Sequence, residues 1–374
     1  MKKALFHSLK HIMSPLLLSM VATVPVVGHA EDELKFYNWS DYIGEDTIAN
    51  FEEKTGIKVT ADVFDSNEVL EAKLLAGNSG YDLVVPTASF MGRQIKAGVF
   101  MPLDKSKLPN LQNIDPELLS YLNNLDPGNQ YGVPYLWGTT GIGYNKAVVE
   151  KILGKDAPVD SWDLVFKPEN MAKLQECGVM FLDSPDEIYP LVLNYLGKDP
   201  NSTNRSDYAL DSEGVLLLEA VRPYIRQFHS SSYISALANG DICVAVGWSG
   251  DVIQAQDRAA EAENGIDIQY RIPKEGTQLW FDMLGIPKGA NNPDAALEFI
   301  NYLLEPEVIA EVSNYVAYAN PNLPAFDLLD EEISGNPGIY PPESVKKLLY
   351  TQKVRGVRIE RLLTRLWTKV KTGR

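Results

Sequence analysis

Tyr37-Asn38-Trp39-Ser40-Asp41-Tyr42-Ile43 decides how this chain is read. It follows the short alternation Leu34-Lys35-Phe36-Tyr37, and such alternation marks a half-buried strand. The indole of Trp39, the hydroxyl of Ser40, the carboxylate of Asp41 and the phenol of Tyr42 therefore fall where a strand gives way to a loop. In open α/β sheets, ligands sit in the crevice outside the carboxyl ends of strands. A carboxylate beside an aromatic face offers an organic cation both a counter-charge and a π surface. The competing reading is an ordinary strand end whose aromatics cap a core.

Outward from this stretch, strands and helices alternate. Residues 45–55 have a helical pattern closed by Gly56, and Ile57-Lys58-Val59-Thr60-Ala61-Asp62-Val63-Phe64 alternates as a strand. Ser66 is a fitting N-cap for the next helix, and Tyr81-Asp82-Leu83-Val84-Val85-Pro86 is a short apolar strand. This β-α-β order predicts a mostly parallel sheet covered by helices. Residues 103–130, with Pro109, Pro116 and Pro127, read as loop. Residues 131–145 are extended and glycine-punctuated, and read as one long strand crossing from one lobe to the next. The glycines do not match G-x-G-x-x-G, so a dinucleotide site is not indicated. The pattern then repeats. Buried strands are expected at residues 177–182 and 242–246, the second ending in Gly247-Trp248-Ser249-Gly250-Asp251, with a helix over residues 214–227 between them. Strands at residues 268–272 and 280–286 follow, then helices, the last over residues 358–371 with a basic outer face. Packing of that helix on an acidic body is the commoner arrangement, and membrane contact is the alternative.

Residues 1–30 read as a secretory signal: Lys2, Lys3 and Lys10, then an apolar run, then Gly28-His29-Ala30 with a cut expected after Ala30. No cysteine stands near the cut, so no lipid anchor and no stable membrane attachment are expected. Residues 1–30 hold three lysines and no acid. Of the 34 Lys+Arg and 50 Asp+Glu in the chain, the remainder thus carries 31 and 50, a net charge of −19. Such a field opposes nucleic acid and favours cationic solutes. The 344 residues left exceed what one core usually serves. Only His229 remains after the signal, which excludes multi-histidine metal sites. Cys177 and Cys243 are the only cysteines. In an oxidising compartment they read as one disulfide, with two separate buried thiols as the alternative.

An aromatic–acid pairing recurs: Trp39 with Asp41, Trp248 with Asp251, Trp280 with Asp282, with Glu187 and Tyr318 at comparable turns. A cleft rich in carboxylates is unfavourable unless a cation neutralises it, and acids at both ends of an aromatic channel suit an α,ω-diamine. Alternatively each Trp is core and each acid an N-cap, a role that Asp251 fits well. A hydrolase using paired carboxylates is a further alternative. An oxidase acting on polyamines would need a flavin or copper site, and neither fingerprint is present.

Beyond these patterns, the chain resembles the periplasmic putrescine/spermidine-binding proteins of polyamine ABC transporters. The resemblance rests on Tyr37-Asn38-Trp39-Ser40-Asp41-Tyr42-Ile43, Phe51-Glu52-Glu53-Lys54-Thr55-Gly56-Ile57-Lys58-Val59, Asp65-Ser66-Asn67-Glu68, Gly80-Tyr81-Asp82, Gly247-Trp248-Ser249-Gly250-Asp251 and Tyr318-Ala319-Asn320-Pro321. It implies a two-lobed α/β periplasmic binding protein fold of type II, with residues 31–137 and 259–304 in one lobe and 138–258 and 305–374 in the other. It implies a monomer that binds a polyamine without any cofactor and hands it to a membrane permease, and it implies the Cys177–Cys243 disulfide. Another cationic solute, such as a basic amino acid, is the alternative ligand. Around the ligand the resemblance places Trp39, Ser40, Asp41, Tyr42, Thr87 and Glu187 from the first half, and Ser230, Trp248, Asp251, Trp280, Asp282 and Tyr318 from the second. Asp251 and Asp282 would hold one amine, and Asp41 and Glu187 the other. Thr87 stands where Ser is usual, which keeps the hydroxyl, and Trp280 where Phe is usual, which puts putrescine as the preferred ligand in question.

Overall fold

The computed structural model describes residues 33–373, so the expected signal segment lies outside the described residues. Nine strands form one mixed sheet. They are β1 (Glu33–Trp39), β2 (Lys58–Phe64), β3 (Leu83–Val84), β4 (Gly132–Asn145), β5 (Val179–Phe181), β6 (Gln227–Phe228), β7 (Val244–Trp248), β8 (Ile268–Arg271) and β9 (Leu279–Gly285). Their order is β2-β1-β3-β9-β4-β7-β5-β6, with β8 also on β4. The outer strands pair in parallel, β1 with β2 and β3, and β5 with β6 and β7. The inner strands β4 and β9 run antiparallel to their neighbours.

β4 is the axis of the fold. Its 14 residues reach about 45 Å at ~3.3 Å each, long enough to serve two hydrophobic cores. Val133, Tyr135 and Leu136 pack in the first core, Ile142 and Tyr144 in the second, and Trp137 lies against both. The register of β4 on β9 shifts between Pro134 and Trp137. A proline cannot donate to the ladder, and such an irregularity bends the strand where it passes between cores. The first core is built on Phe36, Phe51 and Phe299, with ring centroids 5.3 Å (Phe36–Phe299) and 4.7 Å (Phe51–Phe299) apart. The second is built on Phe166, Phe181 and Tyr189.

Packing differs from the expected lobe spans at two stretches. Ile268 and Tyr270 belong to the second core because β8 pairs with the second half of β4. Ile309, Val312 and Val316 belong to the first core. The chain therefore returns between Ile272 and Leu279, and alternates between the cores from Val316 to Ala319, with Ala317 and Ala319 in the second and Tyr318 in the first, before Ala325 packs in the first again.

Residues 103–130 contain more structure than the expected loop. Asp115 caps the helix Pro116–Leu122 through the Glu117 amide at 2.8 Å. Pro116 begins this helix rather than breaking it, because the first turn needs no donor from it. The expected helix over residues 214–227 ends at Val221. Pro223 follows in a tighter turn, and β6 then forms. Cys177 and Cys243 are bonded, with Cα atoms 5.5 Å apart, just before the paired strands β5 and β7. The last helix, Val357–Thr372, packs on the body through Ile359, Leu363, Leu366 and Val370. Among the described residues no helix is long and apolar enough to cross a membrane.

Candidate functional site

The strand ends converge on one narrow cavity, with about 30 Å³ of room for the centres of water-sized molecules. β1 delivers Trp39, Ser40 and Tyr42, β7 delivers Trp248 and the helix after it Asp251, and β9 delivers Trp280 and Asp282. Trp280 and Asp282 are two residues apart on a strand and so share a face. Glu187 enters from the first turn of the helix Pro185–Tyr195.

Three carboxylates are held by hydroxyl and amide donors, with no lysine or arginine among the lining residues. Asp251 accepts from the phenols of Tyr318 (2.6 Å) and Tyr233 (2.7 Å). It is not the helix cap, since Trp248 occupies that position. The glycines of Gly247-Trp248-Ser249-Gly250-Asp251 make room for those phenols. A Cβ on Gly247 would lie 2.5 Å from the Tyr233 ring, and one on Gly250 would lie 2.5 Å from the Tyr318 ring. Asp282 accepts from the Thr87 hydroxyl at 2.6 Å, which in turn accepts from the Asn67 amide at 2.8 Å. The Tyr42 phenol stands beside Asp282 and helps to hold its carboxylate down, without a geometrically formed hydrogen bond. Glu187 accepts from the Thr140 hydroxyl (2.6 Å) and the Gln278 amide (3.0 Å). Gln278 is fixed in that orientation because its oxygen accepts from Gln352 at 2.8 Å.

Burial dominates the electrostatics. Asp251, Asp282 and Glu187 are 7%, 4% and 6% exposed. Burial pushes Asp282 and Glu187 up to about 7 and Asp251 up to about 6, against the donors just named. The acids raise one another as well, Asp282 through Glu187 and Asp251. A cavity in this state is short of positive charge. Aromatic rings wall it: Trp39 and Trp248 meet edge-on at 5.4 Å, as do Trp280 and Tyr318 at 5.4 Å. Such a box suits a slender cation, with acids for ammonium groups and rings for the methylenes between them. Among the described residues no group of three His, Cys, Asp or Glu is arranged to hold a metal ion.

Of the twelve residues expected from sequence, eleven line the cavity; Asp41 does not. Asp41 has φ 53°, which turns the chain, and its exposed carboxylate pairs with Arg258 at 2.8 Å outside the lining. Ser230 lines the wall and accepts from the Asp183 amide at 3.1 Å. Sequence reasoning missed Phe64, Asp65, Asn67, Ser231 and Ile234. The first three had a signal: β2 is the parallel neighbour of β1, with Phe64 beside Trp39, so its end faces the same crevice.

Three comparisons place this chain among known proteins. The bacterial extracellular solute-binding protein family matches residues 46–341. The putrescine-binding periplasmic protein PotF of Escherichia coli (strain K12) is 57% identical, over 95% of each chain. The putrescine-binding periplasmic protein SpuD of Pseudomonas aeruginosa (strain UCBPP-PA14) is 53% identical, over 96% of this chain and 98% of its own. Among solved structures, a putative spermidine/putrescine ABC transporter protein from Listeria monocytogenes superposes with a TM-score of 0.81 at 35% identity, covering 92% of this chain and 100% of its own. With its fold of two cores about one crossing strand and an acidic, aromatic-walled cavity, this chain belongs to the bacterial extracellular solute-binding protein family.

Proposed function

We propose that this chain is the periplasmic binding component of an ABC importer, and that it closes on a polyamine, putrescine or spermidine, and delivers it to a membrane permease. The observation that carries this reading is the set of three buried carboxylates in an aromatic cavity with no cationic side chain. Leaving such groups ionised and unpaired is unfavourable, and an entering ammonium stabilises the ionised form. The methylenes of a diamine add about 0.8 kcal/mol each when buried. Relatives whose names record putrescine binding support the same ligand class.

In this reading Asp251 and Asp282 take one ammonium, Glu187 takes the other, and Asp65 supplies further negative charge at the wall. Trp39, Trp248, Trp280, Tyr42 and Tyr318 enclose the methylenes, while Ser40, Thr87 and Ser230 supply hydroxyls. Asp41 acts outside the cavity through Arg258. Residues 1–30 serve as the export signal, cut near Ala30. The protein works as a monomer with two lobes centred on the two cores, it needs no cofactor, and it performs no chemistry on its ligand.

Calorimetric titration of the mature protein with putrescine, cadaverine, spermidine, spermine and arginine tests the proposal. Saturable one-to-one binding of at least one polyamine, with recovery of unaltered ligand, is expected. Saturation by arginine alone, or turnover of the ligand, would overturn it.

A further inference from the structure

The loops that line the cavity make a second, ionic contact behind it. Asn67 faces the cavity, while the next residue, Glu68, accepts from the Ser184 hydroxyl at 3.0 Å. Glu187 faces the cavity, while the preceding residue, Asp186, lies 3.7 Å from Arg93 and pairs with Arg355. Arg93 grips Glu71 through two hydrogen bonds, 2.6 and 2.8 Å, and reaches Glu360 at 3.2 Å. Arg355 also reaches Glu360, at 3.2 Å. The elements carrying Glu68, Glu71 and Arg93 are rooted in the first core through Leu70, Leu74 and Met91. Those carrying Asp186 and Glu360 are rooted in the second through Ile188, Ile359 and Leu363.

We propose that Arg93 is the centre of an ionic clasp that holds the two cores closed over the ligand, a positioning residue for capture that never touches the ligand. The proposal rests on the reading of this chain as a polyamine-binding protein that closes. Each half of the clasp is already assembled on its own side: Arg93 with Glu71 on one, and Asp186 with Arg355 and Glu360 on the other. At this contact, separating the cores would break Arg93–Asp186, Arg93–Glu360 and Glu68–Ser184, and would leave Arg93 with Glu71 and Asp186 and Glu360 with Arg355 on their own sides; Asp41–Arg258 is a separate ionic contact between the same cores. The clasp therefore adds to the closed arrangement without destabilising the open one. Its side chains are 20% (Arg93) and 6% (Asp186) exposed, so solvent and salt screen the pair far less than a surface bridge.

Glu68 gives the clasp a pH dependence. Its Oε2 is buried without a hydrogen-bond partner. Burial, and then the Asp186 carboxylate, push its carboxyl well above the usual range, against Ser184 and Arg93. Glu71, Arg93, Ser184, Asp186, Arg355 and Glu360 are the polar and charged groups gathered at this contact, and burial raises the Glu360 carboxyl as well. Closure therefore takes up a proton at Glu68, and the clasp weakens as the pH rises.

The test is stopped-flow tryptophan fluorescence of the mature protein with putrescine and spermidine, alongside melting of the ligand-free protein. Arg93→Ala should raise the dissociation rate by about 5- to 150-fold, the range of ordinary site-to-site coupling. The association rate should change little, the ligand-free melting temperature should fall by much less than the lost affinity implies, through loss of the Glu71 pair alone, and Arg93→Lys should recover part of the loss. Glu68→Gln keeps the Ser184 contact without a titrating group. It should slow release at pH 8.5 relative to the wild type and match it at pH 6. Wild-type release rates in Arg93→Ala would overturn the clasp. So would a fall in ligand-free melting temperature that parallels the lost affinity, since that would make Arg93 a structural residue only. A wild-type protein that binds no polyamine would instead refute the functional reading, and the clasp's role in capture with it.

Discussion

Asp251→Asn should weaken polyamine binding and leave the ligand-free protein at least as stable as before. The substitution keeps the shape of the side chain and an oxygen to accept from Tyr233 or Tyr318, but it removes the charge. Losing one partner of a desolvated charge pair costs about 2–5 kcal/mol, which is about 30- to 4,000-fold in dissociation constant. Stability should move the other way. The folded-state value of Asp251 is raised to about 6 from 3.8. Stability from this group is therefore greatest below the unfolded value, and is lost as the pH rises from near 4 to above 6. At about 1.36 kcal/mol per pK unit, ionised Asp251 destabilises the ligand-free fold by up to about 3 kcal/mol at pH 7. Asn removes that penalty and gives back part of it through one poorer hydrogen bond. Calorimetric titration with putrescine, together with scanning calorimetry of the free protein at pH 7, measures both effects. Unchanged affinity would refute the role of Asp251 at the ligand. A fall in melting temperature as large as the loss of binding would refute the argument that burial of this charge is unfavourable until a cation arrives.

The other predictions follow from the same geometry. Polyamine affinity should fall as the pH drops from 7.5 through 7 and then 6, because the cation binds the ionised forms of Asp282, Glu187 and Asp251; titration at pH 5, 6 and 7.5 checks this, and a flat profile over that range would contradict it. Replacing Cys177 and Cys243 by Ser should destabilise the fold by about 4 kcal/mol, the chain-entropy value for a separation of 66 residues, read by urea unfolding; denatured, unreduced wild type should show no free thiol. Trp280→Phe should shift the ratio of dissociation constants toward putrescine, since the larger indole offers an internal amine a better face; an unchanged ratio would reduce Trp280 to packing.

The sequence made the cavity legible where a strand simply ends. Trp39 and Trp248 end strands that share a crevice, Trp280 and Asp282 lie two residues apart on one face of β9 beside it, and periodicity locates both arrangements. It failed at Asp41, where a left-handed backbone turns the carboxylate away from the cavity its neighbours face. Asp65 and Asn67 were missed although they follow a strand parallel to β1. The groups that tune the acids were not legible. Gln278 and Gln352 lie 91 and 165 positions from Glu187 in the chain, and only the folded sheet brings them together. The core in which β8 packs was not legible for a related reason: β8 reads as a strand from its own residues, but its partner, the second half of β4, does not show in them. Prolines misled twice, at Pro116, which starts a helix, and at Pro223, which stops one.

A crystal structure of the mature protein grown with putrescine tests the central claim most directly. The account predicts one diamine threaded between Trp39, Trp248 and Trp280, with one nitrogen within hydrogen-bond distance of Asp251 or Asp282 and the other on the Glu187 side. A diamine bound elsewhere, or a cavity whose acids pair with protein groups while the ligand lies on the surface, would contradict it.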